Sequence, residues 1–192
     1  NAFRMCLDAF SEFQEITSTI IVFRDLEQKE KLQFETKQAN SSIRKGISFV
    51  QGGEERADSV RNGLEMLPES CEFAHIHDCA RPLIRRETVA KVIQEAGKNN
   101  PVAVARPATN TIRKRISGFT LLKTETLPRS LLWEMETPQS APVSWLREGY
   151  AKAKEMNISI TDDMQAIVMP SGCAWMLFQN FRKLPVLSLF SV

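Results

Sequence analysis

Several features that usually announce a function are scarce in this chain. It has two histidines, His75 and His77, and four cysteines, Cys6, Cys71, Cys79 and Cys173. No C-x-x-C spacing links the cysteines, which argues against a zinc site and fits a reducing compartment. Neither sign of charge dominates: 25 Lys and Arg oppose 23 Asp and Glu, for a net +2. That balance gives no electrostatic case for a nucleic-acid partner. No apolar run approaches the ~20 residues that span a bilayer, so no membrane segment is expected. Neither G-x-G-x-x-G nor a P-loop occurs, and generic dinucleotide and ATP readings lose support accordingly. Internal repeats and low-complexity linkers are missing too. What remains is 192 residues, 43% hydrophobic and 25% charged, an ordinary globular composition that reads as one domain over residues 1–192.

The chain opens at Asn1 inside a helical stripe of Phe3, Cys6, Leu7 and Phe10. A native start is not expected there, and any targeting segment would lie upstream. Ser18–Phe23 is a β-branched run suited to a strand buried on both faces. Glu27–Lys37 is charged and helix-prone. Ile47–Val50 predicts a second strand, and Arg56–Leu67 a helix with Ala57, Val60, Leu64 and Leu67 on one face. Phe73–His77 reads as a strand that runs into a carboxylate, Asp78. A helix carrying Val89, Val92, Ile93 and Ala96 follows, then a strand at Val102–Ala105. This alternation predicts an α/β fold with a mostly parallel sheet and right-handed crossovers.

Pro107–Gln139 breaks the rhythm. Thr111–Ile116 and Phe119–Thr126 read as two extended pieces joined through Ser117-Gly118, and such a hairpin does not hold itself folded in water. It must lie on something, for which a second subunit is the natural support. A helix resumes after Pro142, with Val143, Leu146, Tyr150 and Ala153 aligned. Thr161 reads as an N-cap with Asp162 and Asp163 in the first turn, where the helix dipole favours them. Ala174–Phe178 predicts a last strand, and Leu184–Val192 has no clear period.

Four stretches carry groups suited to chemistry. Gly52-Gly-Glu-Glu-Arg-Ala-Asp-Ser59 lies between a strand and a helix, where glycines admit close backbone approach and free N–H groups can bind a polar ligand; a plain turn with acidic first-turn residues explains it equally. Asp78 and Arg81, in His77-Asp-Cys-Ala-Arg-Pro82, suit a divalent cation and the phosphates it bridges, or a capped and paired strand end. Pro107-Ala-Thr-Asn-Thr-Ile-Arg-Lys114 suits an anionic substrate or a solvated strand. In Leu131–Gln139, Trp133 reads as packing, whereas Thr137, like Arg129 just before, has no evident structural duty.

In that order and spacing, Gly-Gly-x-Glu-Arg-x-Asp-Ser-Val, His-Asp-x-Ala-Arg-Pro, Pro-x-x-x-Thr-Ile, Leu-Trp-x-x-x-Thr-Pro-Gln and Ile-Thr-Asp-Asp closely resemble the 2-C-methyl-D-erythritol 4-phosphate cytidylyltransferase family over about residues 3–172. The resemblance implies a Rossmann-like sheet of the nucleotide-diphospho-sugar transferase type that binds CTP with Mg²⁺. It implies that Gly53, Glu54 and Ser59 line a cytosine pocket, that Asp78 holds the metal, and that Arg81 stands near the phosphates and sugar. Asn110, Thr111, Thr137 and Thr161 match positions that bind the polyol phosphate, and Arg129 the residue that orients its attacking phosphate. Residues 107–139 match a dimerisation arm, implying a homodimer with a composite site. A bacterial cytoplasm or a plastid stroma is the implied location.

The chain departs from the family pattern in three places. No glycine loop precedes Arg4-Met5, so the first strand and triphosphate loop are missing, and the polypeptide as given is expected to turn over poorly. Asn110 stands where the family usually has Asp. The tail after Asn180 lacks the usual Pro-Glu-Asp run. A ribitol 5-phosphate cytidylyltransferase shares the central motifs and stays open at this point, as does a non-catalytic nucleotide-binding or dimerisation remnant.

Overall fold

The computed structural model describes residues 1–38, 46–117, 123–171 and 176–179. The chain order is α1 (Ala2–Ser11), β1 (Thr19–Phe23), α2 (Leu26–Lys37), β2 (Ile47–Gln51), α3 (Arg56–Glu65), β3 (Phe73–Ile76), α4 (Arg86–Ala96), β4 (Val102–Pro107), β5 (Ile112–Ser117) and β6 (Lys123–Leu127). A 3-10 turn at Arg129–Leu131 leads into β7 (Trp133–Pro142), α5 (Val143–Glu155), α6 (Asp163–Ser171) and β8 (Met176–Gln179). The helical stripe at the start and the strand–helix alternation therefore lie where the apolar spacing put them. Residues 184–192, together with parts of the expected last strand and of the hairpin's second piece, fall outside the described residues.

The strands form a two-stranded parallel sheet, β1-β2, a four-stranded sheet in the order β3-β7-β4-β8, and the separate β5-β6 hairpin. β7 runs antiparallel to both β3 and β4, and β8 runs parallel to β4. β3, β4 and β8 thus share one direction around a single reversed strand. That reversed strand is the correction to the arm. Trp133–Gln139 was grouped with the excursion, yet it belongs to β7 in the middle of the sheet, with Gln139 opposite Ile76 on one side and Ala103 on the other. Only β5 and β6 stand apart, and Ile116 there is 59% exposed.

The core forms where α5 and α6 cover the four-stranded sheet. Leu146, Tyr150, Met164 and Ile167 pack there with Ala103 and Ala141. Gly149 is needed at this crossing, because a Cβ on it would collide with the backbone of Ala166. The α3 helix packs on β1 and β2 and also on α5, so it ties the two sheets together. Trp133 was expected to pack, but at the start of β7 it is 39% exposed. Among the described residues no helix is long and apolar enough to cross a membrane.

Candidate functional site

Backbone hydrogen bonding ends β3 at Ile76, and the chain turns at Cys79 and Ala80, where the Asp78 carbonyl accepts the Arg81 N–H at 2.9 Å. This turn lies beyond the carboxyl end of the strand, where open α/β sheets bind ligands. Asp78 is held by its backbone: its N–H donates to Thr137 Oγ1 on β7 at 3.1 Å. The same hydroxyl lies 3.1 Å from His77 Nδ1, and His77 Nε2 lies 3.2 Å from the Arg81 carbonyl. A carbonyl accepts only, so Nε2 carries the proton, and the Thr137 hydroxyl can donate to Nδ1 while accepting from Asp78. Burial lowers the His77 pKa, which keeps the ring neutral as this chain of bonds requires.

The Asp78 side chain is 39% exposed and flanked by two guanidiniums at long range, Arg56 Nη2 at 3.5 Å and Arg81 Nε at 3.9 Å. Arg81 also reaches towards Glu136 at 3.9 Å and donates to the Met135 carbonyl at 3.4 Å. Arg81 and Thr137 line one open cavity with Ala80, Pro82, Leu83, Ile84, Thr88, Val104 and Glu136. Asp78, Arg81 and Thr137, given to a cation, to phosphates and to the acceptor in the sequence, lie side by side, and Thr137 is buried at 6% exposure with a clear structural duty.

The turn after β2 places Gly53 and Ser59 side by side, the Gly53 N–H donating to Ser59 Oγ at 3.2 Å. The glycines are close-approach positions, but what approaches is helix α3. A Cβ on Gly52 would meet Ser59 Oγ at 2.6 Å, and one on Gly53 would strike the Asp58 side chain. Glu54 is exposed in this turn. The helix start itself is closed by a capping box between Glu55 and Asp58.

At the base of the hairpin, Arg129 Nη1 donates to the Thr109 carbonyl at 2.9 Å, which puts Arg129 beside Asn110 and Thr111. None of the three lines the cavity that Arg81 and Thr137 share in the same chain. Thr161 is not the N-cap: α6 begins at Asp163, and Asp162 Oδ1 caps it by accepting the Gln165 N–H at 2.9 Å. Thr161 sits one residue earlier, its N–H and hydroxyl both donating to Gln165 Oε1 at 3.0 and 3.2 Å. A carboxylate one residue later outcompeted the hydroxyl, as capping preference allows.

A second cluster adjoins the first and was not foreseen. Asp163 is fully buried and paired with Arg56 at 2.7 and 3.2 Å, and its Oδ1 accepts the Tyr150 hydroxyl at 2.5 Å. Gln139 Oε1 accepts the N–H groups of Asp163 and Met164 at 2.7 and 3.2 Å. Burial works against the Arg56 charge, but the hydrogen bonds and charge of Asp163 outweigh it and raise the pKa. Burial, reinforced by the Asp163 charge, also raises that of Tyr150. The only sequence signal was the Asp-Asp pair, which helix-dipole logic explained away.

Among the described residues, no three of His, Cys, Asp and Glu converge as a self-sufficient cation site. Asp78, loosely paired and partly exposed, is a carboxylate that could share a cation with phosphate oxygens, as Mg²⁺ commonly requires.

A mixed α/β sheet with crossover helices and an acidic residue beyond the carboxyl end of β3 is a Rossmann-like architecture. The sequence profile of the family "2-C-methyl-D-erythritol 4-phosphate cytidylyltransferase" matches residues 2–175, and the chain belongs to that family. A chloroplastic protein of that name from Oryza sativa is 35% identical over 165 residues, covering 84% of this chain and 52% of the relative. One from Alkaliphilus metalliredigens is 35% identical over 158 residues, covering 82% of this chain and 64% of the relative. The chain thus spans about half to two thirds of the length of these relatives. Among solved structures, a 4-diphosphocytidyl-2C-methyl-D-erythritol synthase from Anaerococcus prevotii superposes with a TM-score of 0.78 at 22% identity, covering 92% of this chain and 74% of that one. It supports the fold. The matches favour the methylerythritol family over the ribitol one.

Proposed function

We propose that this protein transfers the cytidylyl group of CTP to 2-C-methyl-D-erythritol 4-phosphate, releasing pyrophosphate. A phosphate oxygen of the acceptor attacks the α-phosphorus, and the bond from that phosphorus to the bridging oxygen breaks. Little covalent help is needed at such a centre, so the protein's task is positioning and charge neutralisation. The observation that carries the reading is the Asp78 edge, held by Thr137 and flanked by Arg56 and Arg81 within a chain of this family.

Asp78 would hold Mg²⁺ together with the nucleotide phosphates; when bound, the cation neutralises charge developing on the leaving group. Arg81, 3.9 Å from Asp78, lines the neighbouring cavity and offers a guanidinium to the phosphates and sugar. Gly53, Glu54 and Ser59 are assigned to the cytosine, and Asn110, Thr111, Thr137 and Thr161 to the acceptor. Arg129 orients the attacking phosphate. Because Arg129, Asn110 and Thr111 sit at the hairpin rather than in the cavity that Arg81 and Thr137 line, we assign them to the cleft of a second copy in a homodimer built on β5-β6. The named relatives include a chloroplastic protein, and a plastid stroma or a bacterial cytoplasm is the setting we assign.

The test is pyrophosphate release from CTP, Mg²⁺ and methylerythritol 4-phosphate by the full-length protein, with ribitol 5-phosphate in parallel. Release with the first acceptor is expected. Release with ribitol 5-phosphate alone, or with neither, refutes the reading.

A further inference from the structure

Arg56 is the link between a buried carboxylate and the exposed one. Its Nη1 and Nη2 engage Asp163 Oδ1 and Oδ2 at 3.2 and 2.7 Å, and Asp163 is 0% exposed. Removing one partner from such a pair leaves an uncompensated buried charge, so the pairing is obligatory once Asp163 is ionised. Tyr150 and Gln139 fix the other side of Asp163, at 2.5 Å to its carboxylate and 2.7 Å to its backbone N–H. The guanidinium is planar, so two bonds to Asp163 set its plane and leave no freedom to choose its third contact. That contact is Asp78 Oδ1, 3.5 Å from Nη2.

We propose that Arg56 is a positioning residue for Asp78. Its commitment to Asp163 keeps the guanidinium near enough to orient the Asp78 carboxylate and too far to neutralise it as a tight ion pair. The cation and nucleotide phosphates then find Asp78 turned towards them. Four elements converge on this arrangement: α3 brings Arg56, β7 Gln139, α5 Tyr150 and α6 Asp163. The proposal rests on the reading of Asp78 as the cation-holding carboxylate.

It predicts a shift in cation affinity when the fork is lost. Lysine keeps the charge but cannot hold Asp163 with two donors and face Asp78 as well. The measurement is Mn²⁺ binding in the presence of CTP, followed by the Mn²⁺ resonance signal, in full-length wild type and Arg56→Lys. The half-saturating Mn²⁺ concentration is expected to rise about tenfold, the scale of one charge-assisted hydrogen bond. Tyr150→Phe, which loosens Asp163 without removing a charge, covers the case in which Arg56→Lys does not fold, with a rise of about threefold expected. A purely structural role would lower the thermal midpoint and leave the Mn²⁺ midpoint unmoved; an unmoved midpoint in either folded variant overturns the proposal. Wild type that binds no Mn²⁺ with CTP refutes the functional reading itself and the proposal with it.

Discussion

The Thr137 hydroxyl accepts the backbone N–H of Asp78 at 3.1 Å, so the reversed strand in the middle of the sheet also aims its acidic edge. Thr137→Val keeps the shape and deletes the bond. It leaves the Asp78 N–H and His77 Nδ1 without that partner, a cost of about 1–3 kcal/mol in a buried setting. Pyrophosphate release should fall about 10–100-fold as the loop loses its orientation. Thr137→Ser should restore most of both, read by urea unfolding and by the release assay.

Acid should destabilise the fold through His75. Burial lowers its pKa from 6.5 to about 4, and its Nδ1 lies 2.7 Å from Ser140 Oγ. The unfolded chain takes up a proton near pH 6.5 that the folded chain refuses until about pH 4. Stability is therefore complete above the higher value and drains away as pH falls towards the lower one, with a loss of order 3 kcal/mol for a shift of this size. His77 is lowered in the same direction and adds to the slope. Urea midpoints measured at pH 7.5, 6 and 5 should fall in that order, and His75→Gln should flatten the trend.

The parts of this molecule that follow from local chemistry were legible in the sequence. The β-branched run of Thr19–Phe23, the apolar face of α4 and the carboxylate after β3 each declare themselves within a few residues. What stayed hidden depends on who meets whom across the sheet. Asp163 looks like an ordinary first-turn acid until α5 delivers Tyr150 and α3 delivers Arg56 to it. Thr137 looked free because its partner is 59 residues away along the chain. The reversed direction of β7 was equally invisible, since one strand's apolar pattern does not record its neighbours' directions.

Gly149→Ala tests the crossing of α5 and α6, which places Tyr150 against Asp163. A Cβ there has no room against the Ala166 backbone, so the helices must part. A loss of about 1–3 kcal/mol is expected, as for overpacking elsewhere, although alanine is the better helix former. Thermal unfolding gives the sign directly: an unchanged or raised midpoint would show that the crossing is looser than the contact implies.

The proposed composite site makes a prediction that no single variant can. Arg129 is exposed and its side chain donates to the Thr109 carbonyl, so Arg129→Ala should leave the fold intact while lowering turnover about 10²–10³-fold. Asp78→Asn should abolish turnover from the other half of the cleft. If each cleft takes Asp78 from one copy and Arg129 from the second, a mixed dimer of the two variants carries one cleft with both residues native and one with both lost. Equal mixing and exchange place about half of all chains in mixed dimers, and activity should return to about a quarter of wild type. A cleft built within one chain gives no recovery at any mixing ratio. Ile116→Glu on the exposed face of the hairpin adds the control, because splitting the dimer in a sedimentation experiment should abolish the recovered activity along with it.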